Sequence, residues 1–333
     1  MKLGAIIEWG AELSTFRSLV RLADDLGYDV IGVGDTPARA HELYVSLTVA
    51  AQESKKATLT PMVTTPFLRH PAVTATAIST LYEVTGGRAL LAIGNGGSAR
   101  RIIGHPMGAT QQELRDYVTA VRAILRGGTA TVGGRTTEAL TRVHPMPVWI
   151  AADYPKSLRL AGEIADGVVT TVGMSLDLAE KKLATIRAAA EQAGRDPEKV
   201  EIWGFSFISV RDSRAEANAE IGAALASDVG LRLKPAHMRA IIPPELLGAV
   251  EEMERRYDVH DHTVGGKNAK LLEELGLVDF ALGMTGVTGS VPEVADHLKR
   301  LESVGLSGVF APMPALSDPA RTLRGLSQAA AAA

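Results

Sequence analysis

Thr64-Thr65-Pro66-Phe67-Leu68-Arg69-His70-Pro71-Ala72-Val73-Thr74-Ala75-Thr76-Ala77, followed after a helix by Gly86-Gly87-Arg88-Ala89-Leu90-Leu91-Ala92-Ile93-Gly94-Asn95-Gly96-Gly97, is the stretch that decides how this chain folds. It reads as strand end, proline-punctuated loop, helix, strand and glycine loop, because proline and glycine interrupt periodic runs where the backbone must turn. A strand, a crossover helix and a second strand of this length make one parallel unit.

The same alternation extends in both directions. Upstream lie Leu3 to Ile7 then Thr15 to Leu26, Val30 to Val33 then Tyr44 to Ser54, and Thr58 to Thr64 then Val73 to Val84. Downstream come Ala89 to Ile93 then Gln111 to Arg126, Val148 to Ala151 then Pro155 to Ala165, and Val168 to Thr170 then Leu176 to Ala193. Short apolar runs separated by segments of helical period indicate parallel strands with crossover helices. Two further strands, Ile202 to Val210 and Ser307 to Ala311, bring the count to eight, and eight such strands close into an α/β TIM barrel, (β/α)8. An open doubly wound sheet calls for a glycine fingerprint after the first strand, and Ile7-Glu8-Trp9-Gly10-Ala11-Glu12 carries none.

One barrel domain is expected over residues 1–328, with two insertions and a frayed tail at 329–333. The first insertion, 129–137, has Gly133-Gly134 between β-prone runs and reads as a hairpin, since paired glycines supply the positive φ of a tight turn. The second, about 226–288, contains Pro243-Pro244, the charged helix Glu245 to Tyr257 and Gly265-Gly266, and reads as a lid or flap over the strand C-termini. Ser290-Val291-Pro292-Glu293 announces a helix to Ser303, with a serine cap, an early proline and an acidic first turn.

Composition narrows the function classes. Of 333 residues 46% are hydrophobic and 22% charged, enough for a sizeable core. The 35 basic and 38 acidic side chains are interspersed and leave a net charge of -3, so no nucleic-acid footprint is expected. With no cysteine, disulfides, thiolate-held clusters and thiol nucleophiles are excluded. Glu8 interrupts the N-terminal apolar run, and no run approaches about 18 apolar residues, so the expectation is a cytoplasmic protein without a membrane span.

In a closed barrel the strand C-termini face one mouth, which brings together Glu8, Asp35, Met62 to Thr65, Gly94 to Ser98, Ala152 to Tyr154 and Thr170 to Gly173. The loop Gly94-Asn95-Gly96-Gly97 lets main-chain groups approach a flat ligand with no Cβ in the way. Ala151-Ala152-Asp153-Tyr154-Pro155-Lys156 opens a helix whose exposed amides suit a phosphate, with Thr170-Thr171-Val172-Gly173 nearby; a carboxylate at Asp153 repels phosphate unless turned away. Arg69 and His70 sit at a helix entrance and read as structural, and His105 as a loop residue. His260-Asp261-His262 offers two neighbouring ligands without a third and reads as solvated, so no metal site is expected.

The string from Thr64 to Gly97 resembles the luciferase-like flavin/deazaflavin oxidoreductases. Pro66 to Ala75, with Gly162-Glu163-Ile164-Ala165-Asp166-Gly167, is similar to the methylenetetrahydromethanopterin reductase branch. The resemblance implies a non-prolyl cis peptide at Met62-Val63 propping the central ring of a cofactor. It also implies ring contacts from Thr64, Gly94, Asn95, Gly96 and Gly97, and a phosphate seat at Ala152, Asp153, Thr170, Thr171, Val172 and Gly173. Asp35 matches a family aspartate commonly followed by histidine, where Thr36 stands here, and Gly97 replaces a frequent acidic residue. Glu8 lies two positions from a glutamate of the reductases, on the same strand face. Glu8 and Asp35 are therefore the expected catalytic carboxylates.

The branch implies coenzyme F420 and hydride transfer to or from a small organic substrate, as a homodimer. The alternative is an FMN-dependent monooxygenase fed with reduced flavin by a separate reductase. A third reading is a ligand-binding barrel that has lost catalysis.

Overall fold

The computed structural model describes residues 1–10, 12–37, 40–105, 108–234, 236–239, 241–261, 263–314 and 316–333. The strands are β1 (Lys2–Ile6), β2 (Val30–Val33), β3 (Thr58–Pro61), β4 (Leu91–Ile93), β5 (Thr131–Val132), β6 (Arg135–Thr136), β7 (Val148–Ala151), β8 (Gly167–Thr171), β9 (Glu201–Phe205), β10 (Phe207–Val210), β11 (Gly286–Gly289) and β12 (Gly308–Pro312). Eight of them form one sheet in the order β3-β2-β1-β12-β9-β8-β7-β4. Its two end strands meet through parallel bridges Leu59↔Ala89 and Thr64↔Ile93, which closes the sheet. The fold is a (β/α)8 TIM barrel. Its strands are near-continuous apolar runs because helices cover the outside while side chains fill the inside.

The chain divides into two compact units, one of Lys2–Thr170 with Lys182–Trp203, the other of Met1, Thr171–Lys181 and Gly204–Ala333. In the first unit β1, β2 and β3 pair in parallel, as do β4, β7 and β8. The helices between them bury one stripe each; helix Leu13–Asp25, for example, buries Phe16, Val20 and Ala23. The insertion at 129–137 is the antiparallel hairpin β5–β6, turned by Gly133 at φ +57° and Gly134 at φ +76°.

In the second unit the run expected as one strand, Ile202 to Val210, breaks at Ser206. β9 ends at Phe205, and β10 leaves to pair in parallel with β11 as a separate two-stranded sheet. Ser206 is fully buried, its N–H donating to Phe310 and its hydroxyl to the Val172 carbonyl (2.6 Å), so it interrupts the ladder without glycine or proline. The segment expected as a flap folds into helices Leu247–Arg256, Lys267–Glu274 and Val278–Thr285, which share an apolar core with helix Arg214–Ser227 through Leu225, Val229, Met253, Leu272 and Leu277. The expected frayed tail is instead the last turn of helix Pro319–Ala332, with Ala329 fully buried. Among the described residues, no helix is long and apolar enough to cross a membrane.

Candidate functional site

A cavity of 310 Å³ opens in the first unit at the C-terminal ends of β1, β2, β3, β4 and β7. Its walls are made by substituting hydrogen for Cβ on one strand so that the neighbouring strand can send a side chain inward. A Cβ on Gly34, after β2, would sit 2.6 Å from Glu8 Oε1, after β1. A Cβ on Gly94, after β4, would lie 2.7 Å from Val63 Cγ2, and one on Gly96 would overlap the Thr65 hydroxyl. Glu8, Val63 and Thr65 all line the cavity as a result.

This changes the reading of the glycine loop. Gly94 and Gly96 are glycine because their own neighbours fill the space, and Gly96 also holds φ +72°. Gly97 is the position where, among the described residues, no atom lies within 4 Å of an added Cβ, and it lines the cavity with Asn95. The peptide Met62–Val63 is cis, and both residues belong to the wall.

Asp35 and Thr64 are arranged differently from expectation. Thr64 is fully buried, and its hydroxyl donates to Asp35 Oδ2 at 2.6 Å, so it faces the wall's interior. The same oxygen accepts from Arg69 Nη1 at 2.6 Å. Arg69 also pairs with Glu42 and lies 5.1 Å above the Tyr44 ring. Asp35, expected from sequence as a catalytic carboxylate, lines the cavity and is engaged in this clamp through Thr64 and Arg69. Tyr117 completes the clamp: it donates to the Arg69 carbonyl at 3.0 Å and shares a 2.6 Å bond with Thr74, and burial pushes its phenol up to about 12. Arg69 and His70 are structural, as read from sequence; His70 caps helix Pro71–Val84 by accepting from the Ala72 amide.

Thr65 takes the place expected for Thr64. It is 1% exposed, lines the cavity, and its hydroxyl has no hydrogen-bond partner among the described residues. A buried hydroxyl left unpaired costs about 1–3 kcal/mol, so such an atom in a cavity wall marks a place for a polar ligand atom. Adjacent threonines give no sequence signal as to which one turns inward.

On the far wall, Ala152 and Asp153 line the cavity after β7. Asp153 is turned onto Lys182 Nζ and the Thr170 hydroxyl, each at 3.2 Å, so its charge is compensated. The start of helix Pro155–Ile164 offers less than expected: Pro155 has no N–H, and the Tyr154 amide donates to Ser157 Oγ at 3.1 Å. Thr170 is buried and reaches the wall through Asp153. Thr171, Val172 and Gly173 belong to the second unit. There Val172 donates to the Phe205 carbonyl at 3.0 Å, and Gly173 is glycine because the backbone of helix Val278–Thr285 occupies the site of its Cβ. Packing accounts for Val172 and Gly173, where a phosphate seat was expected, and Thr171 is buried.

Asp261 accepts from Thr263 Oγ1 (2.6 Å) and the Asn268 amide (3.1 Å), which hold its carboxyl down at about 2. His262 lies outside the described residues. Among those described, no group of three or more His, Cys, Asp or Glu side chains could hold a metal ion.

The model of the luciferase-like monooxygenase family matches residues 2–308. Similar relatives include a 5,10-methylenetetrahydromethanopterin reductase of Methanolobus tindarius, 30% identical over 60% of this chain and 62% of that protein. The reductase of the same name from Archaeoglobus fulgidus is 26% identical over 92% of this chain and 91% of its own length. Among solved structures, the coenzyme F420-dependent tetrahydromethanopterin reductase of Methanopyrus kandleri superposes with a TM-score of 0.81 at 21% identity, covering 98% of this chain and 97% of the other. With glycine-relieved walls at the strand C-termini of a closed barrel and a family match over most of its length, the chain belongs to the luciferase-like monooxygenase family.

Proposed function

We propose that this protein is an F420-dependent oxidoreductase that moves hydride between the deazaflavin ring and a small organic substrate. The observation that carries the reading is the cavity wall itself. One buried, unpaired hydroxyl (Thr65) and one open glycine (Gly97) stand in a slot walled by Val63 and Met62, which suits the face and polar edge of a flat heteroaromatic ring. The relatives support the deazaflavin over FMN, since similar curated proteins include reductases of the methanopterin branch and the superposed reductase is F420-dependent.

The ring would supply the two electrons as hydride; the protein supplies position and charge. Met62 and Val63 would back the ring, Thr65 would hydrogen-bond its polar edge, and Gly97 and Asn95 would leave room at its rim. The Asp35–Arg69–Glu42 clamp fixes Thr64 and therefore the phase of the strand end. Glu8, which lines the cavity and is partly exposed, would be the carboxylate that takes or gives a proton.

Titration of the purified chain with oxidised F420 and, separately, FMN tests the reading. F420 is expected to bind and FMN to bind more weakly, and reduced F420 is expected to be oxidised by one of a set of carbonyl, imine and enone probes. Tight FMN binding without F420 binding would overturn it. Glu8→Gln is expected to lower turnover by at least about a hundredfold while leaving F420 affinity within a few-fold.

A further inference from the structure

We propose that Asn95 is a site of spontaneous deamidation that converts this part of the cavity wall from an amide to a carboxylate or an isoaspartyl linkage, and that a ligand resting on the loop slows the conversion. Asn95-Gly96 is the single Asn-Gly pair in the sequence. The reaction needs the next residue's main-chain nitrogen to reach the side-chain carbonyl carbon, without a side chain to shield it and with water at hand.

The loop supplies the unshielded nitrogen and the access to water. Gly96 has no Cβ and is held at φ +72°, and its N–H donates to no acceptor among the described residues. Asn95 is exposed, and its side-chain amide makes no hydrogen bond among the described residues. The chain's other two asparagines are both followed by alanine and both engaged. Asn268 is 2% exposed and donates from Nδ2 to the Asp258 and Asp261 carbonyls, each at 2.7 Å. Asn218 Oδ1 accepts from the Thr288 hydroxyl at 2.6 Å.

In the step, the Gly96 nitrogen gives its proton to solvent base and bonds to Asn95 Cγ, while the amide nitrogen leaves as ammonia. Water then opens the resulting succinimide at either carbonyl, giving aspartate or isoaspartate. One water is consumed and one ammonia released, with no change of oxidation state. The new carboxylate joins Glu8, Asp35 and Asp153 in the lining, which among the described residues contains no lysine, arginine or histidine. An isoaspartyl linkage also lengthens the main chain just before Gly96, whose fit against Thr65 leaves no spare room. Protection by ligand rests on the function proposed above; the modification itself does not.

The test incubates the full chain in mildly alkaline buffer and follows the tryptic peptide Ala89–Arg100 by mass and by isoaspartyl methylation, with the same synthetic peptide as a clock. Conversion confined to this peptide, with F420 affinity falling in step, is expected, and Asn95→Asp should reproduce roughly a tenfold loss of affinity, about 1.4 kcal/mol. Asn95→Gln should hold its peptide mass, and whatever F420 affinity it starts with, constant through the incubation. An unmodified peptide after the synthetic clock has run to completion overturns the proposal. F420 or FMN shown by titration to be bound should slow conversion several-fold; an unchanged rate overturns the protection. If neither binds, the function proposed above fails, while conversion in the free chain still decides the modification.

Discussion

At the scale of single residues, Thr64 and Thr65 separate two jobs that look identical in sequence. Thr64 donates 2.6 Å to Asp35, and Thr65 holds an unpaired hydroxyl in the cavity wall. Replacing Thr65 with valine removes the unsatisfied atom at nearly constant shape, so thermal stability is expected to stay level or rise. F420 affinity, read by fluorescence titration, should fall about tenfold, the size of one lost hydrogen bond. Thr64→Val takes a donor from a buried carboxylate and should cost about 1.5–3 kcal/mol in chemical denaturation. The reverse pattern, with Thr65 stabilising and Thr64 controlling affinity, would remove Thr65 from the site. Sequence placed the pair at the mouth but not their phase, because side-chain alternation is lost where a strand ends in a loop. The same limit applies to Asp35, whose partner Arg69, itself paired with Glu42, comes from a separate loop that only the fold brings close.

At the scale of elements, two buried side chains tie neighbouring segments together and set the response to acid. Asp24, at the end of helix Leu13–Asp25, accepts from Ser54 Oγ and the Lys55, Lys56 and Ala57 amides at 2.7–2.9 Å, capping the turn into β3. Burial pushes its carboxyl up, but the four donors outweigh it and bring it down from 3.8 to about 2. A lowered folded-state pKa means stability that is complete above about 4 and lost as pH falls toward 2, worth about 2 kcal/mol. Asp24→Asn should therefore lose about that much near neutrality and flatten this acid window in pH-dependent denaturation. His297, on helix Val291–Ser303, bonds the Gly173 carbonyl through Nε2 at 3.1 Å, and burial lowers its pKa from 6.5. The unfolded chain takes up that proton first, so a separate loss begins as pH drops below about 6.5 and should vanish in His297→Asn. The eight barrel strands and most of their helices were readable because apolar runs and amphipathic stripes alternate cleanly. The β9–β10 break was not, since buried Ser206 carries no turn signal, and helix Arg214–Ser227 buries residues nearly all round, which erases helical periodicity.

At the scale of the whole molecule, the outer surfaces of helices Leu43–Glu53 and Pro71–Val84 carry almost no charge. Val45 and Val73 are 56% and 54% exposed, and the exposed positions beside them are Thr48, Gln52, Thr76, Thr80 and Val84, with Glu83 the one acid. The threonine hydroxyls do not offset this: Thr48, Thr76 and Thr80 each donate back to their own helix, to Tyr44, Ala72 and Thr76 carbonyls at 2.7–2.9 Å. What remains outward is methyl groups, on two adjacent helices of one unit, whereas a solvated helix normally shows lysine and glutamate. Small, apolar, self-similar surfaces bury best against a copy of themselves, because a two-fold pairing matches each patch with its own equivalent. Two copies of the chain are accordingly expected to pair through these helices. Light scattering after size exclusion should give twice the chain mass, and Val45→Glu with Val73→Glu should give a single-chain mass with the far-ultraviolet spectrum and F420 affinity retained, since neither residue lines the cavity. A monomeric parent protein, or a double variant still paired, would show that the uncharged face has another purpose.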